Sequence, residues 1–165
     1  QKKDKILCAK FRKGHFEGVL DVMNKLTKIV KPKKIFMGEK DFQQLYLVKK
    51  ELEKKYKTKV VPCKTVRDRN NVALSSRNLL LNKSSLIIAA KIYKKIVDIK
   101  KNIKNKRNIS SFLNLKKKEL KNNYKIKIDY LELRNIKNLK ISSTNKNSRL
   151  FIAYYLNNVR LIDNL

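Results

Sequence analysis

Apolar residues recur at three- and four-residue steps from residue 16 onward. Phe16, Val19, Leu20, Met23, Leu26, Thr27 and Val30 share one helical face with lysines between them, and Pro32 ends the pattern. Residues 34–37, Lys-Ile-Phe-Met, then read as a buried strand. A second helical pattern runs over 41–56, and 59–63, with Val60 and Val61, reads as another strand. The short apolar run 6–11 fits a strand or the end of a loop. Helix, strand, helix, strand in this order predicts parallel strands joined by helical crossovers. Ligands of such sheets bind at the carboxyl ends of strands, and Gly38 stands at one.

Beyond Pro62 the pattern changes. Residues 65–78 are polar, with Asn70-Asn71 offering a turn that tolerates positive φ, and they read as a hinge loop. Asn82 or Ser84 opens a long helix whose apolar face is Leu86, Ala89, Ala90, Ile92, Tyr93, Ile96, Val97 and Ile99. Ser110 or Ser111 is expected to cap a second helix that continues to about Asn122. From Lys125 the period falls to two, with Ile126, Ile128 and Tyr130 on one face and Leu131 and Leu133 on the other. Residues 150–156 and 159–165 are further strands, joined by a tight hairpin turn at Asn157-Asn158. The fold class is therefore α/β followed by a small α+β unit of two helices and an antiparallel sheet.

Length and composition narrow the function. The 165 residues, 42% of them hydrophobic, suffice for one domain or two small ones with a real core. No apolar run approaches the roughly 18 residues of a membrane span, and the first residues lack a signal-peptide core, so a cytoplasmic location and no membrane partner are expected. Cys8 and Cys63 form no ligand-type spacing and read as buried reduced thiols, with no metal site. The net charge of +30 raises nucleic-acid binding. The positive charge is mostly Lys, spread along the chain among Asn and Ile, as an AT-rich coding sequence supplies without selection for binding. No aromatic RNA-binding motif, zinc-finger spacing or Arg-rich arm accompanies it, and a solvated lysine surface is the better account.

Two stretches carry candidate chemistry. Gly38-Glu39-Lys40-Asp41 joins a strand to a helix, where free N–H groups and the helix dipole favour an anion and Lys40 adds a mobile positive charge. Asp41 suits a helix cap, with Gln44 three residues on completing a capping-box pattern, and both side chains could instead reach a ligand. Ser75-Ser76-Arg77 sets two hydroxyls beside a guanidinium, a donor set suited to phosphate oxygens. Alone, each is equally a capped surface helix or an exposed polar turn.

Taken together, five blocks resemble the pantoate–β-alanine ligase family of adenylate-forming nucleotidyltransferases. They are Phe11-Arg12-Lys13-Gly14-His15-Phe16-Glu17-Gly18-Val19; Phe36-Met37-Gly38-Glu39-Lys40-Asp41-Phe42-Gln43-Gln44-Leu45; Ala73-Leu74-Ser75-Ser76-Arg77-Asn78; Ile128-Asp129-Tyr130-Leu131-Glu132-Leu133; and Arg160-Leu161-Ile162-Asp163-Asn164. Lys13 stands where the family commonly has Pro, and Asn70-Asn71 where it commonly has Asp-Gly. The resemblance implies the C-terminal half of a Rossmann-like nucleotidyltransferase domain over 1–66, binding ATP and pantoate, and an α+β lid domain over 67–165. It implies that Lys40, Ser75, Ser76 and Arg77 hold the phosphates of ATP with Mg2+, the last three on a mobile loop. Gly38, Glu39 and Asp41 would lie on the nucleotide, with Gly38 and Asp41 at the ribose. Val66 and Leu74 would contact adenine through backbone groups, Gln44 would bond pantoate and His15 would line the pantoate side.

The family's paired-histidine motif is not in this sequence, whose single histidine is His15. The expectation is thus a C-terminal portion that needs an N-terminal half, forms a homodimer when complete, takes pantoate and β-alanine as substrates, and is inactive alone. Two other classes stand beside it: an inactive remnant serving as an interaction module, and a basic nucleic-acid-binding protein.

Overall fold

The computed structural model describes residues 6–165, which form two compact units, residues 6–65 and 66–165. In the first, a short helix α1 (Leu7–Phe11) precedes α2 (His15–Val30), strand β1 (Lys34–Gly38), helix α3 (Phe42–Lys55) and strand β2 (Lys59–Cys63). β1 and β2 pair in parallel, with Ile35 opposite Val60 and Gly38 opposite Cys63. The crossover α3 lays Leu45, Val48 and Leu52 against Val60, and Val19, Leu20, Met23, Ile35 and Met37 pack around them. α2 stops where Lys31 turns left-handed at φ 50°, its N–H bonded to the Thr27 carbonyl, just before Pro32.

Several details of this unit differ from the sequence reading. Residues 7–11 are a helix rather than a strand or loop end, because the side chain of buried Gln43 ties them down: it accepts from Cys8 N–H and donates to Ile6 C=O, each at 3.0 Å. A short apolar run cannot by itself distinguish these states. β1 is not buried: it alternates, and Phe36 is 66% exposed. Among the described residues β1 pairs only with β2, and Phe36 lies on the face opposite Ile35 and Met37, which pack into the α3 core. Leu26 and Val30, expected on the apolar face of α2, are likewise exposed. Cys8 is buried, but Cys63, at the end of β2, is exposed.

The second unit holds α4 (Lys83–Asn102), α5 (Ile109–Tyr124) and an antiparallel sheet in the order β3 (Lys127–Asn135), β4 (Ser148–Leu156), β5 (Val159–Asn164). Asn82 caps α4 by accepting from Ser85 N–H. Asn108, not Ser110 or Ser111, caps α5, accepting from Ser111 N–H at 3.0 Å; it lies one residue before the first helical position, where a cap must sit. Asn157 and Asn158 turn the β4–β5 hairpin with φ 46° and 64°, the positive values a two-residue turn requires. The expected facing of β3 is corrected by a bulge between Ile128 and Tyr130. The extra residue shifts the alternation, so Ile128 joins Leu131 and Leu133 in the core with Ile92, Ile96, Leu150 and Ile152.

Lys100 of α4 donates to the Ser148 carbonyl at 2.8 Å on the edge of this core, and burial, aided by nearby Arg149, pushes its pKa down to about 8. An amine depressed below its unfolded value releases its proton earlier in the folded chain. The unfolded chain then holds more protons between pH 8 and the ordinary lysine value, and stability rises with pH across that window. Wild type is therefore expected to gain stability relative to Lys100→Met from about pH 8 to 10. Denaturant unfolding of both at several pH values checks this, and a constant difference would contradict it.

Candidate functional site

In the first unit, β1 ends at Gly38 and passes through a 3-10 turn, Glu39–Asp41, into α3. Gly38 has φ −68° and ψ 134°, which any residue adopts, so the backbone does not demand glycine there. Among the described residues, a Cβ at this position would meet nothing within 4 Å. The missing side chain thus leaves open space at the carboxyl end of a parallel strand, where a ligand can approach the backbone closely. Asp41 occupies the position before α3 but makes no cap bond. Its carboxylate instead lies 3.5 Å from Lys40 Nζ, and the Lys40 side chain is 20% exposed against 52% for Asp41. The 3-10 turn holds Asp41 outside the extended geometry a capping side chain uses.

The adjacent glutamines of this stretch separate. Gln43 is buried and serves the fold through Ile6 and Cys8, while Gln44 is half-buried. Successive residues of a helix point about 100° apart, so one glutamine turns inward and its neighbour does not. Nothing in the residue type distinguishes them. His15 is the first residue of α2, after Gly14 in the left-handed region at φ 72°, and its ring centroid lies 5.0 Å from that of buried Phe16.

In the second unit, the polar stretch after Pro62 is a small folded hairpin. Leu74 N–H donates to Val66 C=O at 3.0 Å, Arg67 and Ala73 form an antiparallel bridge, and Asp68 N–H donates to Val72 C=O. The Asp68 carboxylate accepts from Asn70 N–H and Val72 N–H, and Asn71 takes φ 66°. This hairpin brings Val66 and Leu74 side by side, 67% and 50% exposed. Directly after it, Ser75 Oγ accepts from Arg77 N–H at 3.2 Å and caps the 3-10 turn Ser76–Leu80. Ser76 is exposed. Arg77 Nη1 donates to Arg160 C=O of β5, and Asn78 Nδ2 donates to Ala73 C=O. The two serines and the arginine therefore sit on a tied turn.

Two further groups hold that turn. Arg67 donates twice to Asp163 of β5, at 2.7 and 2.9 Å, and stacks over Tyr93 of α4 with its guanidinium carbon 4.4 Å from the ring centre. Burial works against the Arg67 charge, and the Asp163 bonds outweigh it, holding the guanidinium pKa above its ordinary value. Arg160 donates to Asp129 of β3 at 2.8 Å. No local pattern along 160–164 signals these pairs, since Arg67 and Asp163 lie 96 residues apart. Among the described residues no group of three or more His, Cys, Asp or Glu side chains converges on a point, so these residues alone make no cage for Mg2+. No described helix is long and apolar enough to cross a membrane.

The family model described as pantoate-beta-alanine ligase matches residues 1–165. The chain belongs to the pantoate–β-alanine ligase family. It is 38% identical over 162 residues to a pantothenate synthetase of Flavobacterium psychrophilum, covering 94% of this chain and 56% of that protein. It is also 38% identical to a pantothenate synthetase of Francisella tularensis subsp. mediasiatica, covering 96% of this chain and 53% of that one. A crystal structure of pantothenate synthetase from Thermus thermophilus superposes with TM-score 0.88 at 29% identity, over 98% of this chain and 59% of that one. The Francisella tularensis ligase, crystallised with beta-gamma ATP and β-alanine, superposes with TM-score 0.73 at 34% identity, over 98% and 54%. The chain thus spans a little over half the length of the relatives it matches.

Within this family fold, Gln43 gives a direct test of the split between the two glutamines. Gln43→Leu strips buried Cys8 N–H and Ile6 C=O of their partner and is expected to cost about 2–6 kcal/mol in stability, from roughly 1–3 per orphaned group. Gln44→Ala should cost less than about 1 kcal/mol, as a partly exposed change does. Chemical denaturation of both variants measures the difference, and equal losses would refute the division.

Proposed function

We propose that this chain supplies part of the machinery that condenses pantoate with β-alanine. A carboxylate accepts an amine poorly until one oxygen is made a good leaving group. In the proposed route a pantoate carboxylate oxygen attacks the α-phosphorus of ATP, expelling pyrophosphate and forming pantoyl adenylate. The β-alanine amine then attacks the activated carbonyl, forming the amide and releasing AMP. Little of this needs covalent help from the protein, so most of the catalysis is positioning and charge stabilisation.

The observation that carries the reading is the open strand end at Gly38, followed at once by Lys40, in a chain whose full length matches the ligase family. Gly38 lets the nucleotide come close to the backbone, and Lys40, its side chain mostly sheltered and 3.5 Å from the more exposed Asp41 carboxylate, meets phosphate charge. Gly38 and Asp41 are proposed at the ribose, with Glu39 in the same turn, and Gln44 on pantoate with His15 lining that side. In the other unit, exposed Ser76, Ser75 with its hydroxyl proton still to donate, and Arg77 with one of its N–H groups engaged by Arg160 are proposed as phosphate donors. The hairpin pair Val66 and Leu74 is proposed against adenine. Mg2+ is proposed to arrive on the triphosphate, which is how this ion is commonly held. The histidine pair implied by the family resemblance has no counterpart in these 165 residues, so the complete reaction is proposed to draw on a further segment.

Lys40→Ala and Arg77→Ala, each made in the complete ligase, are expected to slow pantoate-dependent exchange between ATP and pyrophosphate by about 10²-fold or more, the usual cost of losing one charge-stabilising donor. Gln44→Ala should chiefly raise the KM for pantoate. Near-normal exchange in both cation variants, or a Gln44→Ala defect confined to ATP, would overturn these assignments.

A further inference from the structure

Both ends of the stretch 66–77 are tied to one strand. Arg67, at its start, meets Asp163 of β5 through two parallel bonds; Arg77, at its end, meets the carbonyl of Arg160 three residues earlier on the same strand. The Arg67 guanidinium makes four contacts. Its face lies on Tyr93, its two terminal nitrogens are on Asp163, and Nη1 also donates to Asn71 C=O in the hairpin turn. Asp163 is fixed in its turn, since its Oδ1 accepts from Asn164 N–H, and buried Asn164 accepts from Arg149. A surface ion pair would be worth little, but this one is sheltered, with 16% and 13% of the two side chains exposed, and its planar fork matches the carboxylate.

We propose that Arg67 is a positioning residue which, paired with Asp163 and stacked on Tyr93, sets the place at which Ser75, Ser76 and Arg77 present their phosphate donors. This rests on the phosphate-binding role proposed above for those three residues. The Arg67 guanidinium is taken up by Asp163, Asn71 C=O and the Tyr93 ring. It acts through the path of the hairpin, whose last residue, Leu74, adjoins Ser75. A displacement of about 1 Å in a positioned group can cost on the order of 10²-fold in rate, so a clamp that fixes this path has a catalytic consequence although it lies away from the chemistry.

The test uses the complete ligase and pantoate-dependent exchange between ATP and pyrophosphate. Arg67→Lys keeps the charge but loses the fork and the flat stacking face; Asp163→Asn keeps shape and loses the charge pairing. Each is expected to lower the exchange kcat about 10- to 100-fold with the KM for pantoate unchanged. In an Arg77→Ala background the same changes should cost less than they do alone, because one of the three groups they position is already gone. Should Arg67→Lys fail to fold, Asp163→Asn carries the same reading. A normal kcat in a folded variant, or losses that multiply fully with Arg77→Ala, would overturn the positioning role. If Arg77→Ala is impaired while Arg67→Lys and Asp163→Asn are normal, only this inference fails; if Arg77→Ala is itself normal, the phosphate-binding reading fails with it.

Discussion

Two parallel strands cannot be joined by a hairpin, and the arrangement of the first unit follows from that constraint. The chain leaves the carboxyl end of β1, must return the full length of the pair, and does so through α3, which closes over Val60 by Leu45, Val48 and Leu52. The turn between strand and helix is therefore forced to lie where β1 ends. Gly38, Lys40 and Asp41 occupy that turn, and no other described residue comes within 4 Å of where a Gly38 Cβ would stand. The position that the topology makes available for a ligand is also the position that the residue types suit to a phosphate.

The second unit solves a different problem, which is to hold short polar groups in place without burying them. Ser75, Ser76 and Arg77 lie in a single 3-10 turn too short to stabilise itself. Their order comes from neighbours: the Asp68 turn and the Asn78 bond within the hairpin, and the Arg67 and Arg77 bonds to β5. β5 is in turn held in register by β4, whose Leu150 and Ile152 lie in the core beneath α4. Core packing thus reaches the exposed hydroxyls through one strand.

Much of this was legible along the chain, for definite reasons. The periods of α2, α3 and α4 marked helices, Asn157-Asn158 marked a hairpin through its tolerance of positive φ, and the strand–helix order marked the parallel pair. The features that escaped depend on information that no local window holds. Phe36 looked buried because a strand's partners cannot be counted from its own residues. α1 depends on Gln43, more than thirty residues away. The bulge after Ile128 reversed the facing of β3 by one inserted residue. At the candidate site, the motif residues stood out by type, whereas the Arg67–Asp163 pair did not, because each partner alone is an ordinary charged residue.

On the proposed reading, these residues furnish phosphate, nucleotide and pantoate contacts of a ligase whose histidine pair comes from outside the 165 residues. ATP-dependent formation of pantothenate from pantoate and β-alanine should be measured for this chain alone and again with a segment carrying the paired-histidine motif, fused or added as a separate chain. The account predicts no product from the chain alone and ATP-dependent product from the combination. Robust synthesis by residues 1–165 alone, or none from a folded combination, would contradict it.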